Sequence, residues 1–248
     1  LAAPVLILQE IDSTNAEARR RAEAGEFGPL WIAAQRQTEG RGRRGRVWEM
    51  PTGNLAQTLL LTLDKSPLDA SQLTFVSALA VYDLVAHYVP PSLVSIKWPN
   101  DVLLDGRKVS GVLLESGSLG AGGLWVAIGI GVNLKAAPVS TERPATAIAE
   151  HLSADHLSPP DFETGAKHLA ERFDHWLSVW QTQGFGPVRQ AWIERTPGLY
   201  GPCTARLTHE TLHGTADGVE ADGSLRLKLA DGSIRIISAG DVFFGDNG

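Results

Sequence analysis

Five arginines, Arg36, Arg41, Arg43, Arg44 and Arg46, fall within eleven residues against a single acid, Glu39, and Gly40, Gly42 and Gly45 are set among them. A guanidinium group chelates carboxylate or phosphate oxygens through two parallel N–H bonds, and intervening glycines let the backbone fold tightly around what is held. The segment therefore reads as a clasp for an anion, with a solvated basic loop as the plain alternative. It carries +4 in a chain of net charge −6, so the positive charge is local, which argues against a general binder of nucleic acid or anionic membranes. Gly40-Arg41-Gly42-Arg43-Arg44-Gly45 spells G-x-G-x-x-G, but a dinucleotide fingerprint needs its last glycine to open a helix, and Val47-Trp48-Glu49-Met50-Pro51 follows instead. No G-x-x-x-x-G-K-[ST] occurs either, so a nucleotide would have to be held by another device.

Two further constellations can carry chemistry. Lys97-Trp98-Pro99-Asn100-Asp101 precedes Lys108 and Gly111; on a hairpin, an amide, a carboxylate and an ammonium would meet at one spot. Gly129-x-Gly131-x-Asn133 sits in an apolar run, where glycines permit close approach to the backbone and the asparagine offers a donor and an acceptor. Taken singly, each also reads as ordinary turn or packed strand. The lone Cys203 forms no internal disulfide and reads as a small buried side chain. The seven histidines show no H-E-x-x-H spacing, so zinc is not implied.

The elements that must position these groups can be read from periodicity. Leu6–Ile11 reads as a strand, and Thr14 with Glu17 forms a capping box ahead of a helix ended by Gly25. Strands at 30–35 and 55–63 flank the arginine loop, and an amphipathic helix covers 72–88. Runs at 95–104, 108–115 and 124–134 suggest an antiparallel meander. Residues 145–195 read as helical, with Phe162, Leu169, Phe173, Leu177 and Trp180 as a core stripe. After Thr196-Pro197-Gly198 come four or five short strands punctuated by Asp-Gly pairs, the spacing of a small barrel. The expected architecture is α+β, a mixed and largely antiparallel sheet packed with helices over residues 1–197, and a small β domain over 198–248. With 43% apolar residues in 248, the chain is a globular protein that buries roughly 70–75% of its unfolded surface. No uninterrupted apolar run reaches membrane-spanning length and no basic segment precedes an apolar one at the start, so no membrane partner and a cytoplasmic address are expected.

Asp12-Ser13-Thr14-Asn15, Gln37 to Arg46, Lys97 to Asp101, Arg107-Lys108-Val109-Ser110-Gly111 and Gly129 to Leu134 stand in the order and spacing of the biotin protein ligases. The chain resembles that family from about residue 5 to 245, its end being similar to the SH3-like tail that follows a class II synthetase-like catalytic domain. The resemblance implies two steps: biotin and ATP give biotinyl-adenylate and pyrophosphate, and a lysine of a biotin carrier domain then takes the biotinyl group. It implies catalytic roles for Lys108, Arg41 and Arg43. Biotin contacts would come from Ser13, Thr14, Asn15, Gln37, Gly40, Arg41, Gly42, Arg43, Lys108, Gly111, Gly129 and Gly131. Nucleotide contacts would come from Arg43, Arg44, Arg46, Trp48, Asn100, Lys108 and Asn133. Magnesium would accompany ATP, with Asp101 standing equally as its ligand or as a turn residue. Glu39 departs from the small residue found in many members, and is expected to pair with a neighbouring arginine and hold the loop open. Only eleven residues precede Asp12, so a monofunctional ligase without a DNA-reading domain is expected and specific DNA is not a partner; a homodimer stays open. A lipoate-protein ligase, or a non-enzymatic carrier- or nucleic-acid-binding module, are the alternatives. The first lacks this arginine loop, and the net charge opposes the nucleic-acid form of the second.

Overall fold

A computed structural model describes residues 3–119, 122–139 and 144–245. Seven strands form one sheet in the order β1 (Val5–Leu8), β2 (Leu30–Ala34), β3 (Leu55–Leu63), β7 (Leu124–Val132), β6 (Arg107–Ser118), β5 (Asp101–Leu104) and β4 (Val94–Lys97). Only β1 and β2 are parallel. Strand β3 is a near-continuous apolar run because both its faces are covered. Leu55, Leu59, Leu61 and Leu63 enter the main core under α3 (Leu73–Tyr88) and α4 (Phe162–Gln183), while Leu60 meets Ala18 and Ala22 of α1 (Thr14–Glu23).

Four sequence expectations change. The helix α1 begins at Thr14 with no side-chain cap: the Thr14 hydroxyl turns to Gln37 at 3.1 Å, and Glu17 accepts from Arg20 and Arg21 instead. The run 95–104 is two strands rather than one, β4 and β5, paired as a hairpin around a turn that contains the cis Trp98–Pro99 peptide. That turn places Asp101 opposite Lys97 and, on its other side, opposite Gly111. Within 145–195, helix is confined to a one-turn stretch at Ile148–Glu150 and to α4 and α5 (Phe185–Glu194). Pro159-Pro160 delays the start until Asp161 caps Thr164 N at 2.8 Å, and Gly184 at φ 78° divides α4 from α5. Finally, α3 is apolar nearly all round rather than amphipathic, because it lies between the sheet, α4 and α5. With the short α2 (Pro67–Ser71) before it, this stretch is long and apolar enough to cross a membrane, but most of it is buried inside the fold, which marks a core helix.

The C-terminal strands β8 (Pro202–Arg206), β9 (Thr211–Val219), β10 (Leu225–Lys228), β11 (Ile234–Ile237) and β12 (Asp241–Phe244) form an antiparallel sheet in the order β11-β10-β9-β8-β12. It shares one buried apolar cluster with the first sheet: Cys203, Ala205, Leu225 and Val242 join the core that holds Phe75 and Trp192. Trp98 Nε1 donates to Gly223 O at 3.0 Å. Cys203 is the small buried side chain expected, its thiol pushed up to about 11 by burial. One end of β12 is thereby fixed beside the arginine loop.

Candidate functional site

A cavity of about 350 Å³ opens over β3, β7, β6 and β5, walled by the N-terminus of α1, the arginine loop and the start of β12. Its floor is a cross-strand row of small residues, Ala56, Gly131 and Gly111, ending at Asp101. Two glycines of β7 are required by close approach. A Cβ on Gly129 would lie 2.0 Å from Asn15 Oδ1, and one on Gly131 would lie 2.3 Å from the Trp48 ring. A Cβ on Gly111 would press at 3.2 Å against both Lys108 and Trp48.

One end of the cavity is a closed polar network. Gln37 Oε1 accepts from Thr14 N at 2.8 Å and from its hydroxyl, the Thr58 hydroxyl bridges Thr14 Oγ1 (2.8 Å) and Asn15 Oδ1 (2.7 Å), and Asn15 Nδ2 donates to Leu113 O and to Glu115 Oε2 (2.8 Å). Arg41 Nη2 stands 3.7 Å from that same Glu115 oxygen. Just outside, Asp12 accepts both Arg20 Nη groups, which holds its carboxyl down at about 2.

The other end is cationic. Lys108 Nζ donates to Asp101 Oδ1 at 2.7 Å and lies 5.8 Å from the Trp48 ring centre. Arg43 Nη1 donates to Asn100 Oδ1 at 2.8 Å, and Asn100 Nδ2 in turn donates to Val112 O. Burial holds the Arg43 guanidinium below its ordinary value, a sign of a cation drawn in from water. Arg46 Nη2 reaches Asp241 Oδ2 at 3.0 Å, and Arg44 approaches the same oxygen at 3.6 Å.

Every residue that the resemblance gave a biotin, nucleotide or magnesium contact lines this cavity except Gly40. Gly40 closes the loop behind it: Trp48 N donates to Gly40 O, and a Cβ there would fall 2.3 Å from the Trp48 carbonyl. Asn133 lines the wall with both side-chain atoms engaged, donating to Thr146 O at 3.0 Å and accepting from Asn54 Nδ2 at 3.3 Å. Arg36 leaves the cluster for Glu10. The role expected for Glu39 is corrected: among the described residues its exposed carboxylate pairs with no arginine. The loop's arginines are held instead by Glu115, Asn100 and Asp241. Sequence reasoning missed Thr58, Glu115 and Asn54, which look like ordinary strand and turn residues. It also missed Asp241, which lies in the other sheet and 195 positions from Arg46.

A neutral polar end, a floor of small residues with Val112 and Ile130 in the wall, and a cationic mouth suit a ligand with a polar uncharged head, an apolar stem and an anionic tail. Lys108, Arg43, Arg44 and Arg46 gather at this mouth beside Trp48, and cations so grouped can bring two anions together.

The biotin/lipoate A/B protein ligase family matches residues 8–133, and the biotin protein ligase C-terminal domain matches residues 202–245. A biotin–[acetyl-CoA-carboxylase] ligase of Paracoccus denitrificans is 43% identical over 96% of this chain and 100% of its own length. The bifunctional ligase/repressor BirA of Bacillus subtilis is 30% identical over 95% of this chain and 72% of its own length. Among solved structures, the biotin protein ligase from Aquifex aeolicus in complex with biotin and ATP superposes with a TM-score of 0.79 at 25% identity, covering 98% of this chain and 99% of that one.

Proposed function

The chain belongs to the biotin/lipoate A/B protein ligase family, and we propose that it is an ATP-dependent biotin–protein ligase whose acceptor is a lysine of a biotin carrier domain such as that of acetyl-CoA carboxylase. The observation that carries this reading is one cavity joining a polar pocket built by Thr14, Asn15 and Gln37 to the cationic mouth at Lys108 and Arg43. The relatives support it: a carboxylase-directed ligase aligns over its whole length, and a neighbouring structure holds biotin and ATP.

The biotin head would take the polar end, with its valeryl stem over Gly129 to Gly131 and its carboxylate at Arg43 and Lys108. A carboxylate oxygen attacks the α-phosphorus of ATP, the bond to the bridging oxygen breaks, and pyrophosphate leaves. Lys108 gives up part of its pairing with Asp101 to spread the charge building on the carboxylate and α-phosphate oxygens. In the second step the neutral amine of the acceptor lysine attacks the acyl carbon, the acyl–oxygen bond breaks, AMP leaves and the nitrogen loses a proton. The arginine loop covers the mixed anhydride from water between the steps.

Among the described residues no group of three or more His, Cys, Asp or Glu is arranged to hold a metal ion. That fits a magnesium ion carried mainly by phosphates, which needs only one or two carboxylates. Asp101 and Asp241 line the cavity and would hold it, and it would supply charge neutralisation to the leaving pyrophosphate. We place the catalytic domain at 1–197, the small β domain at 198–248, and the reaction in the cytoplasm.

The test is incubation with biotin, Mg-ATP and a purified carrier domain, followed by intact mass of the carrier. One biotinyl group on a single lysine is expected. An unmodified carrier, or one modified only when lipoate replaces biotin, would overturn the assignment.

A further inference from the structure

Lys108 sits where its own strand pairing fails. Against β5 the register runs Leu104 with Arg107 and Leu103 with Lys108, then jumps to Val102 with Ser110, so Lys108 lies beside a β-bulge. Bulges re-aim side chains and leave the backbone short of partners. Here the partners come from elsewhere: Lys108 N donates to Pro144 O at 2.9 Å and Thr146 N donates to Lys108 O at 3.0 Å. The orientation of the lysine is therefore set by segment 144–146.

That segment is itself braced from outside the cavity. Thr146 Oγ1 lies 3.0 Å from His151 Nε2, Arg107 Nη2 lies 2.7 Å from the same nitrogen, and Arg107 Nη1 donates to Glu150 Oε2 at 3.1 Å. Glu150 Oε1 accepts from Ala147 N at 3.1 Å, and Asp105 completes the charged surroundings 4.0 Å from Arg107. A guanidinium only donates, so His151 Nε2 must carry its lone pair and the proton must be on Nδ1. We propose that His151, together with Arg107, is a positioning residue for Lys108: neutral, it ties Thr146 to Arg107 and so holds the bulge that aims the ammonium at the reacting carboxylate and phosphate. None of these side chains lines the cavity, so the pair acts through the backbone around Lys108, from its neighbour Arg107 and from segment 144–146.

The inference rests on the ligase reading and on the place of Lys108 in it. The experiment compares wild type, His151→Leu and His151→Gln in adenylate formation from biotin and Mg-ATP at one fixed pH, with melting temperature alongside. Leu removes the acceptor, whereas Gln keeps an oxygen near the Nε2 position that cannot take a proton. Expected are a fall in kcat of about tenfold for His151→Leu, as for a misaimed catalytic group, with KM for both substrates within about twofold. His151→Gln should recover most of the rate. An active wild type with His151→Leu equal to it, a loss confined to KM or to melting temperature, or a failure of His151→Gln to rescue, would each overturn the proposal alone. A wild type that forms no adenylate would overturn the ligase reading and the proposal with it.

Discussion

Gly129 and Gly131 lie two residues apart on β7, face the same cavity, and should respond in opposite ways to a single added methyl. In Gly129→Ala the new carbon would lie 2.0 Å from Asn15 Oδ1 and 2.8 Å from its Cγ, far inside van der Waals contact, so Asn15 must move. Its amide is held by Leu113 O, Glu115 Oε2 and the Thr58 hydroxyl, in a residue only 4% exposed. Each such bond contributes about 1 kcal/mol net, and a buried group left unsatisfied costs about 1–3 kcal/mol. A loss of about 2–4 kcal/mol follows, and for a chain of this size a fall in melting temperature of about 5–15 °C. Because Asn15 opens α1 beside Thr14 and Gln37, biotin affinity should drop by about tenfold or more. In Gly131→Ala the obstacle is the Trp48 ring at 2.3–2.5 Å, borne on a loop whose neighbours Val47 and Glu49 are exposed. The indole can rotate away, so stability should change by less than about 1 kcal/mol, the range of a peripheral adjustment. The KM for ATP should rise instead. Differential scanning fluorimetry and isothermal titration with biotin read both outcomes. Equal melting temperatures for the two variants, or full biotin affinity in Gly129→Ala, would refute the assignment of the two glycines to different partners.

Asp241→Asn should speed hydrogen exchange across residues 38–53 of the free protein while moving the melting temperature by no more than a few degrees, because exposed pairs such as Arg46–Asp241 contribute about 0–1 kcal/mol. Glu39→Ala should leave that exchange unchanged, and the reverse pattern would restore Glu39 as the holder of the loop. Binding of a non-hydrolysable adenylate should protect the same segment in wild type; equal protection with and without it would show that the loop does not cover the intermediate. Burial, then Arg172 and His87, holds His168 below its ordinary 6.5, so its neutral form favours the folded state. Its contribution is complete above pH 6.5 and is lost as pH falls from there towards the lowered value. His168→Gln should therefore flatten the dependence of melting temperature on pH between 7 and 5, and an unchanged slope would contradict this.

The cavity was legible in the sequence because its chemistry is concentrated in short segments whose residue types are conspicuous. Arginines among glycines, Lys-Trp-Pro-Asn-Asp and Gly-x-Gly-x-Asn are each marked by residue type within a few positions, even though the groups they meet lie far along the chain, Gly129 against Asn15 and Arg43 against Asn100. What could not be read is held by pairs remote in the chain. Asn15 meets Glu115 across 100 positions, and Arg46 meets Asp241 across 195. Periodicity also failed where an element is buried all round, since α3 then has no polar face to mark its orientation. The Thr14–Glu17 pattern misled for a different reason: the side chains that would have capped α1 have stronger partners in Gln37, Arg20 and Arg21.

The central claim is that Lys108 and the arginine loop join biotin to AMP in this cavity before any acceptor is present. Its most direct test is to quench stoichiometric protein with biotin and Mg-ATP, without carrier, and to quantify biotinyl-AMP and pyrophosphate by mass spectrometry. The account predicts close to one adenylate per active site for wild type, almost none for a folded Lys108→Ala, and none when lipoate replaces biotin. Adenylate formed at the wild-type rate by Lys108→Ala, or formed from lipoate and not from biotin, would contradict it.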